Sequence, residues 1–61
     1  MMVPVINQSM VPCHQWQDEY GYYNFQYANG YIWRRDYYGN VNMYYNANLQ
    51  QVDIYGRILE Q

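Results

Sequence analysis

Apolar and polar positions in the middle of this chain alternate with a period of two. Tyr23, Phe25 and Tyr27 alternate with Tyr22, Asn24 and Gln26, the pattern of a strand with distinct faces. Asn29-Gly30 follows at once. Both residues tolerate positive φ, so a two-residue type I′ hairpin turn is predicted there. Tyr31–Arg35 returns as the second strand, with Tyr27 opposite Ile32, Gln26 opposite Trp33 and Phe25 opposite Arg34. One face then carries Tyr23, Phe25, Tyr27, Ile32 and Arg34, and Tyr22, Tyr31 and Trp33 fall on the other.

The next reversals share one phrase. Asp18-Glu19-Tyr20-Gly21, Asp36-Tyr37-Tyr38-Gly39 and Asp53-Ile54-Tyr55-Gly56 all read Asp-x-Tyr-Gly, with the aspartates 18 and 17 residues apart. Asp at the first position caps backbone amides, and Gly at the last takes the left-handed conformation that closes a type I turn with a bulge. A fixed period with the same punctuation signals a repeated supersecondary unit. Val41, Met43 and Tyr45 stand where Tyr23, Phe25 and Tyr27 stood, and Asn46-Ala47-Asn48 takes the place of Ala28-Asn29-Gly30. Leu49–Val52 returns, and Arg57–Gln61 opens a third copy with Ile58 in register. Nothing reads as helix. The expected fold is all-β, a meander of about five short strands built from repeated hairpins with Asp-x-Tyr-Gly turns. These span residues 18–61, after an extended arm over 1–17. Pro4 and Pro12 mark the arm, and Val3–Ile6 offers it a short edge strand.

Three segments carry a likeness to a known family: Asp36-Tyr37-Tyr38-Gly39-Asn40-Val41, Tyr44-Tyr45-Asn46-Ala47-Asn48-Leu49 and Val52-Asp53-Ile54-Tyr55-Gly56-Arg57-Ile58-Leu59. Together they resemble the YD repeat of Rhs and teneurin-type proteins, as does Phe25-x-Tyr27-Ala28-Asn29-Gly30-x-Ile32. The resemblance covers about two copies over 18–61. It implies stacked β-hairpins of the kind that build shells and cell-surface barrels, although just over two repeats enclose nothing alone.

Composition narrows the function classes. Three Arg, no Lys and five acids give a net charge of −2, which lacks the cationic footprint that nucleic-acid binding needs. No stretch approaches the ~20 apolar residues of a membrane span. Cys13 is the single cysteine, so no intrachain disulfide forms and no cysteine-rich zinc site is available. Cys13-His14 is the nearest approach to a nucleophile and base, and no orienting group accompanies it. The repeated aspartates sit at turn starts, and no second acid lies at calcium-loop spacing. No enzyme, cofactor or metal is expected.

Ten Tyr stand beside seven Asn and seven Gln, the composition of self-stacking segments. A single-layer meander this short buries little of each ring, and below about 70–80 residues one core supplies only ~3–5 kcal/mol. The chain is therefore read as a structural, self-associating subunit of a fibre, coat or particle, with itself or a larger protein assembly as partner. Extracellular space or a particle surface suits that role. Tyr23, Phe25, Tyr27, Val41, Met43, Tyr45 and Ile58 form the expected seam, and the arm reaches a neighbouring subunit. Asp18, Gly21, Asn29, Gly30, Asp36, Gly39, Asp53 and Gly56 are the turn positions. The alternative is a small carbohydrate-binding module that stacks sugars on Tyr31, Trp33 and Tyr44.

Overall fold

Five antiparallel strands in one open sheet make up the computed structural model, which describes residues 1–59 and contains no helix among them. The strands β1 (His14–Gln17), β2 (Tyr23–Gln26), β3 (Ile32–Arg35), β4 (Asn42–Tyr45) and β5 (Gln51–Val52) lie side by side in chain order. The all-β meander read from sequence is thus the fold. Its membership differs at both ends. His14–Gln17, read as the end of the arm, is the edge strand β1. Val3–Ile6 is not a strand, and Ile58 makes a single bridge to Val52. Residues 60 and 61 of the expected last strand lie outside the described residues.

One turn serves all five reversals. Gly21, Gly30, Gly39, Leu49 and Gly56 each donate a backbone hydrogen bond to the carbonyl three residues earlier, at 2.9–3.2 Å. The turns start at Asp18, Tyr27, Asp36, Asn46 and Asp53, spaced nine, nine, ten and seven residues apart. The underlying unit is therefore a single strand and turn of about nine residues, half the period visible in the Asp-x-Tyr-Gly phrase. At four of the five starts an Asp or Asn Oδ1 accepts two backbone N–H groups further along the loop. Short polar side chains that hydrogen-bond their own backbone are the reason these residues start turns.

Leu49 takes the place that glycine holds in the other four turns, with φ of 62°. A non-glycine residue in that region costs about 1–3 kcal/mol, and Leu49 is 71% exposed, so burial returns little. Leu49→Gly should raise stability by about 1 kcal/mol, seen as a rise of roughly 4–8 °C in a circular dichroism melt. An unchanged or lower midpoint would mean that this turn stores no strain.

Two register shifts rearrange the faces. Asn29-Gly30 is not a type I′ turn, because Asn29 has no positive φ. The loop closes from Tyr27 N–H to Tyr31 carbonyl, and the pairs become Phe25↔Trp33, Asn24↔Arg34 and Gln26↔Ile32. A slip of one residue moves a whole strand to the other face, so Ile32 and Arg34 lie opposite Phe25, and Trp33 joins it. The observed register separates chemistries. Phe25 stacks on Trp33 with ring centres 5.1 Å apart, while Arg34 Nε donates to Asn24 Oδ1 at 2.8 Å. The predicted register would have set Arg34 against Phe25. The second shift comes from Asp36, whose N–H reaches Val41 rather than Asn40. That extra loop residue turns Val41, Met43 and Tyr45 away from the face that carries Tyr23, Phe25 and Tyr27.

Most of the core sits on the aromatic face, beneath the arm, while Ile32 is buried on the opposite one. Val52, Tyr27 and Ile6 are buried on the aromatic face. Val5 N–H donates to the Ile54 carbonyl at 2.9 Å, and Asn29 Nδ2 donates to the Val5 carbonyl at 2.8 Å. The arm read as reaching a neighbour is docked on its own sheet.

Candidate functional site

Aromatic side chains collect on one face because the two register shifts bring the predicted sets together. From β1 to β5 this face carries Gln15 and Gln17, Tyr23 and Phe25, Trp33 and Arg35, Asn42 and Tyr44, and Val52. Trp33 is held by its Nε1, which donates to Asn42 Oδ1 at 2.9 Å. Arg35 spreads its guanidinium over Tyr23, Phe25 and Trp33 at 5.2, 5.4 and 5.8 Å from the ring centres. Such cation–π contacts contribute about 0.5–1 kcal/mol each at exposed sites.

Beside this ladder the arm and the Asp53–Gly56 turn wall off a cleft of about 480 Å³. Tyr27, Trp33 and Tyr44 line it, with Ile6, Met10 and Ile54 as apolar walls and Asn7 and Gln8 as polar ones. Burial, and then the neighbouring Tyr44, push the Tyr27 phenol above its ordinary pKa, so it is neutral at physiological pH. Of the predicted stacking residues, Trp33 and Tyr44 line the cleft. Tyr31 instead packs at the Gly56 turn, its hydroxyl 2.9 Å from where a Cβ on Gly56 would stand, with Val5 close by.

The opposite face is polar at its centre. Asn24, 1% exposed, donates from Nδ2 to Asp18 Oδ2 at 3.1 Å and accepts from Arg34. Arg34 lies 3.5 Å from Asp18 Oδ2, donates to the Tyr45 hydroxyl at 3.3 Å and covers the Tyr45 ring at 4.7 Å. Partial burial alone would raise the Asp18 carboxyl. The Asn24 amide, the Tyr22 and Tyr20 backbone amides and the Arg34 charge outweigh it, and they hold Asp18 below the ordinary aspartate value. This cluster could not be read from sequence, because it depends on the register between β2 and β3. The expected seam is divided between the faces: Tyr23, Phe25 and Tyr27 on one, Val41, Met43 and Tyr45 on the other, with Ile58 bridged to Val52.

The third feature is the outer edge of β1. Its four residues, His14-Gln15-Trp16-Gln17, are all exposed. Asp18 N–H bonds inward to Tyr22, and antiparallel ladders alternate. His14 and Trp16 therefore face β2 with their backbone groups, while Gln15 and Gln17 direct theirs outward; the alternation ends at Cys13, whose N–H also turns inward, to the Gln26 carbonyl at 2.7 Å. Cys13 and His14 are both exposed, and no cluster of three or more His, Cys, Asp or Glu able to hold a metal occurs among the described residues.

The fold and its sites define a small single-layer antiparallel β-meander. No family model matches the chain, and no curated protein or solved structure shows significant similarity to it.

Proposed function

We propose that this chain is a structural subunit that self-associates by adding strands edge to edge at β1. One observation carries the reading: β1 is an exposed edge with no Lys, Arg, Asp or Glu and no proline. Proteins that stay monomeric blunt such edges with Lys, Pro, bulges or a covering element. Here the outward backbone groups of Gln15 and Gln17 are a template for another strand. Antiparallel pairing of two copies centred on Trp16 sets Gln15 opposite the partner's Gln17, so both outward hydrogen-bonding pairs close. It also brings the two Trp16 rings, each 43% exposed, side by side. Cross-strand aromatic pairs of this kind contribute about 0.2–1 kcal/mol beyond the ladder. The likeness to YD repeats fits the same reading, since those proteins also gain stability by continuing a sheet from hairpin to hairpin.

Sedimentation velocity over a hundredfold range of concentration tests it. Gln15→Pro removes an outward donor, spares the bonds to β2 and places Pro where edge strands accept it. The wild type should form concentration-dependent dimers or larger species with β-type circular dichroism. The variant should stay folded and monomeric. A wild type that is monomeric throughout, or a variant that associates equally well, would refute edge pairing.

A further inference from the structure

We infer that the cleft between the arm and the β3–β4 ladder is a binding site for an uncharged saccharide unit. The site is independent of the β1 edge: it lies over β3 and β4, and pairing at β1 leaves it open. Its volume of about 480 Å³ falls within the ~300–1,000 Å³ of small-molecule sites. Three aromatic rings, Tyr27, Trp33 and Tyr44, contribute to one lining. Aromatic faces carry negative charge density and attract positively polarised C–H groups, which sugar rings present on their apolar side.

The polar part of the wall is amide. Asn7 spends its Oδ1 on the backbone N–H and hydroxyl of Ser9. Among the described residues, its Nδ2 and the Gln8 side chain have no protein partner, so both are open to sugar hydroxyls. No residue of the lining is charged. Arg35 and Asp53 stand beside lining residues but outside the lining. Arg35 lies across Phe25 and Tyr23 as well as Trp33. Asp53, next to Ile54, accepts from the Tyr55 and Arg57 amides and from the Arg57 guanidinium. A carboxylated or sulfated ligand would therefore meet only uncharged groups in the lining itself, which is unfavourable for a charge taken from water.

The arm gives the site a second property. Asn7, Gln8 and Met10 are walls only while Val5 is bonded to Ile54 and Asn29. A ligand that binds the docked state alone stabilises docking by mass action, so occupancy should slow proteolysis between Met1 and Pro12.

Fluorescence titration of Trp33 in a Trp16→Phe background tests the assignment. The probes are cellotetraose, maltotetraose and chitotetraose, with tetragalacturonate as the charged control. At least one neutral probe should give a saturable change and slow arm cleavage, and the galacturonate should give neither. Tyr44→Ala should weaken binding at least tenfold. Gln8→Ala, an exposed wall residue that leaves the fold intact, should weaken it about threefold. No saturable change with any neutral probe overturns the inference. So does stronger binding of the galacturonate, or unaltered affinity in both variants. Edge pairing at β1 would survive each of those results, because its own test is the association state.

Discussion

Gly56→Ala should lower the thermal midpoint much more than Gly39→Ala does, although both glycines hold a positive φ. Gly39 has φ of 76° and nothing within 4 Å of where a Cβ would stand, so alanine there meets only the backbone preference. That preference is worth about 1 kcal/mol, the low end of the range for left-handed residues. At Gly56, with φ of 87°, the added carbon would stand 2.9 Å from the Tyr31 hydroxyl and 3.1 Å from Val5 Cγ1. Neither neighbour is backbone, so the fold can yield, but yielding moves Tyr31 and lifts Val5 from its seat. Overpacking of this sort costs a further ~1–3 kcal/mol. For a domain of this size, 1 kcal/mol corresponds to roughly 4–8 °C, so the two variants should be separable by circular dichroism. In a Val5→Ala background the difference should shrink, since the two positions share one contact. Equal effects at Gly39 and Gly56 would mean that the arm does not press on this turn.

Asn24→Ala is the second large effect expected. The side chain is nearly inaccessible and joins Asp18 to Arg34, so truncation removes both hydrogen bonds and leaves Asp18 Oδ2 and Arg34 Nε only each other across 3.5 Å. Hydrogen bonds to charged groups contribute about 1.5–3 kcal/mol each, and because the ion pair compensates in part, a loss near ~2 kcal/mol is expected. The pH dependence separates this from simple loss of packing. Asp18 is depressed in the folded state, so its contribution is present above the ordinary aspartate pKa and is lost as pH falls through the folded-state value. Removing the Asn24 amide takes away one of the bonds that depress it. The stability gap between wild type and variant should therefore narrow in acid. Asn24→Asp sharpens the point by setting a second carboxylate against Asp18. It should be worse than alanine at neutral pH and recover in acid. Parallel wild-type and variant curves from neutral pH to acid would rule out the coupling.

Much of the architecture is legible in the residue pattern. The alternation at Tyr23, Phe25 and Tyr27 and the Asp-x-Tyr-Gly phrases lead directly to antiparallel hairpins and to turn glycines at positive φ. The candidate cleft is legible only in part. Trp33 and Tyr44 are identifiable from the sequence as a stacking pair. Tyr27 is not, because the alternation places it on the opposite face, and Ile6, Asn7 and Gln8 belong to an arm whose docking has no local signature. The spacing of turns does carry one signal for the true position of Tyr27. Tyr27-Ala28-Asn29-Gly30 falls nine residues after Asp18 and nine before Asp36, so it belongs to the same turn series and closes a three-residue loop.

The class of fold and the places where the chain reverses are written in the local residue pattern. Both depend on local causes: the period of two, an aspartate or asparagine that binds its own loop amides, and glycine where φ is positive. Tertiary structure decided which residues share a face, because one residue more or less in a loop inverts a strand. The choice fell to contacts between residues distant in sequence, aromatic rings with aromatic rings and Arg34 with Asn24 and Asp18. The arm was decided the same way. Val5 and Ile6 settle on the aromatic face through partners at Asn29 and Ile54, and no local pattern in the first seventeen residues encodes those partners.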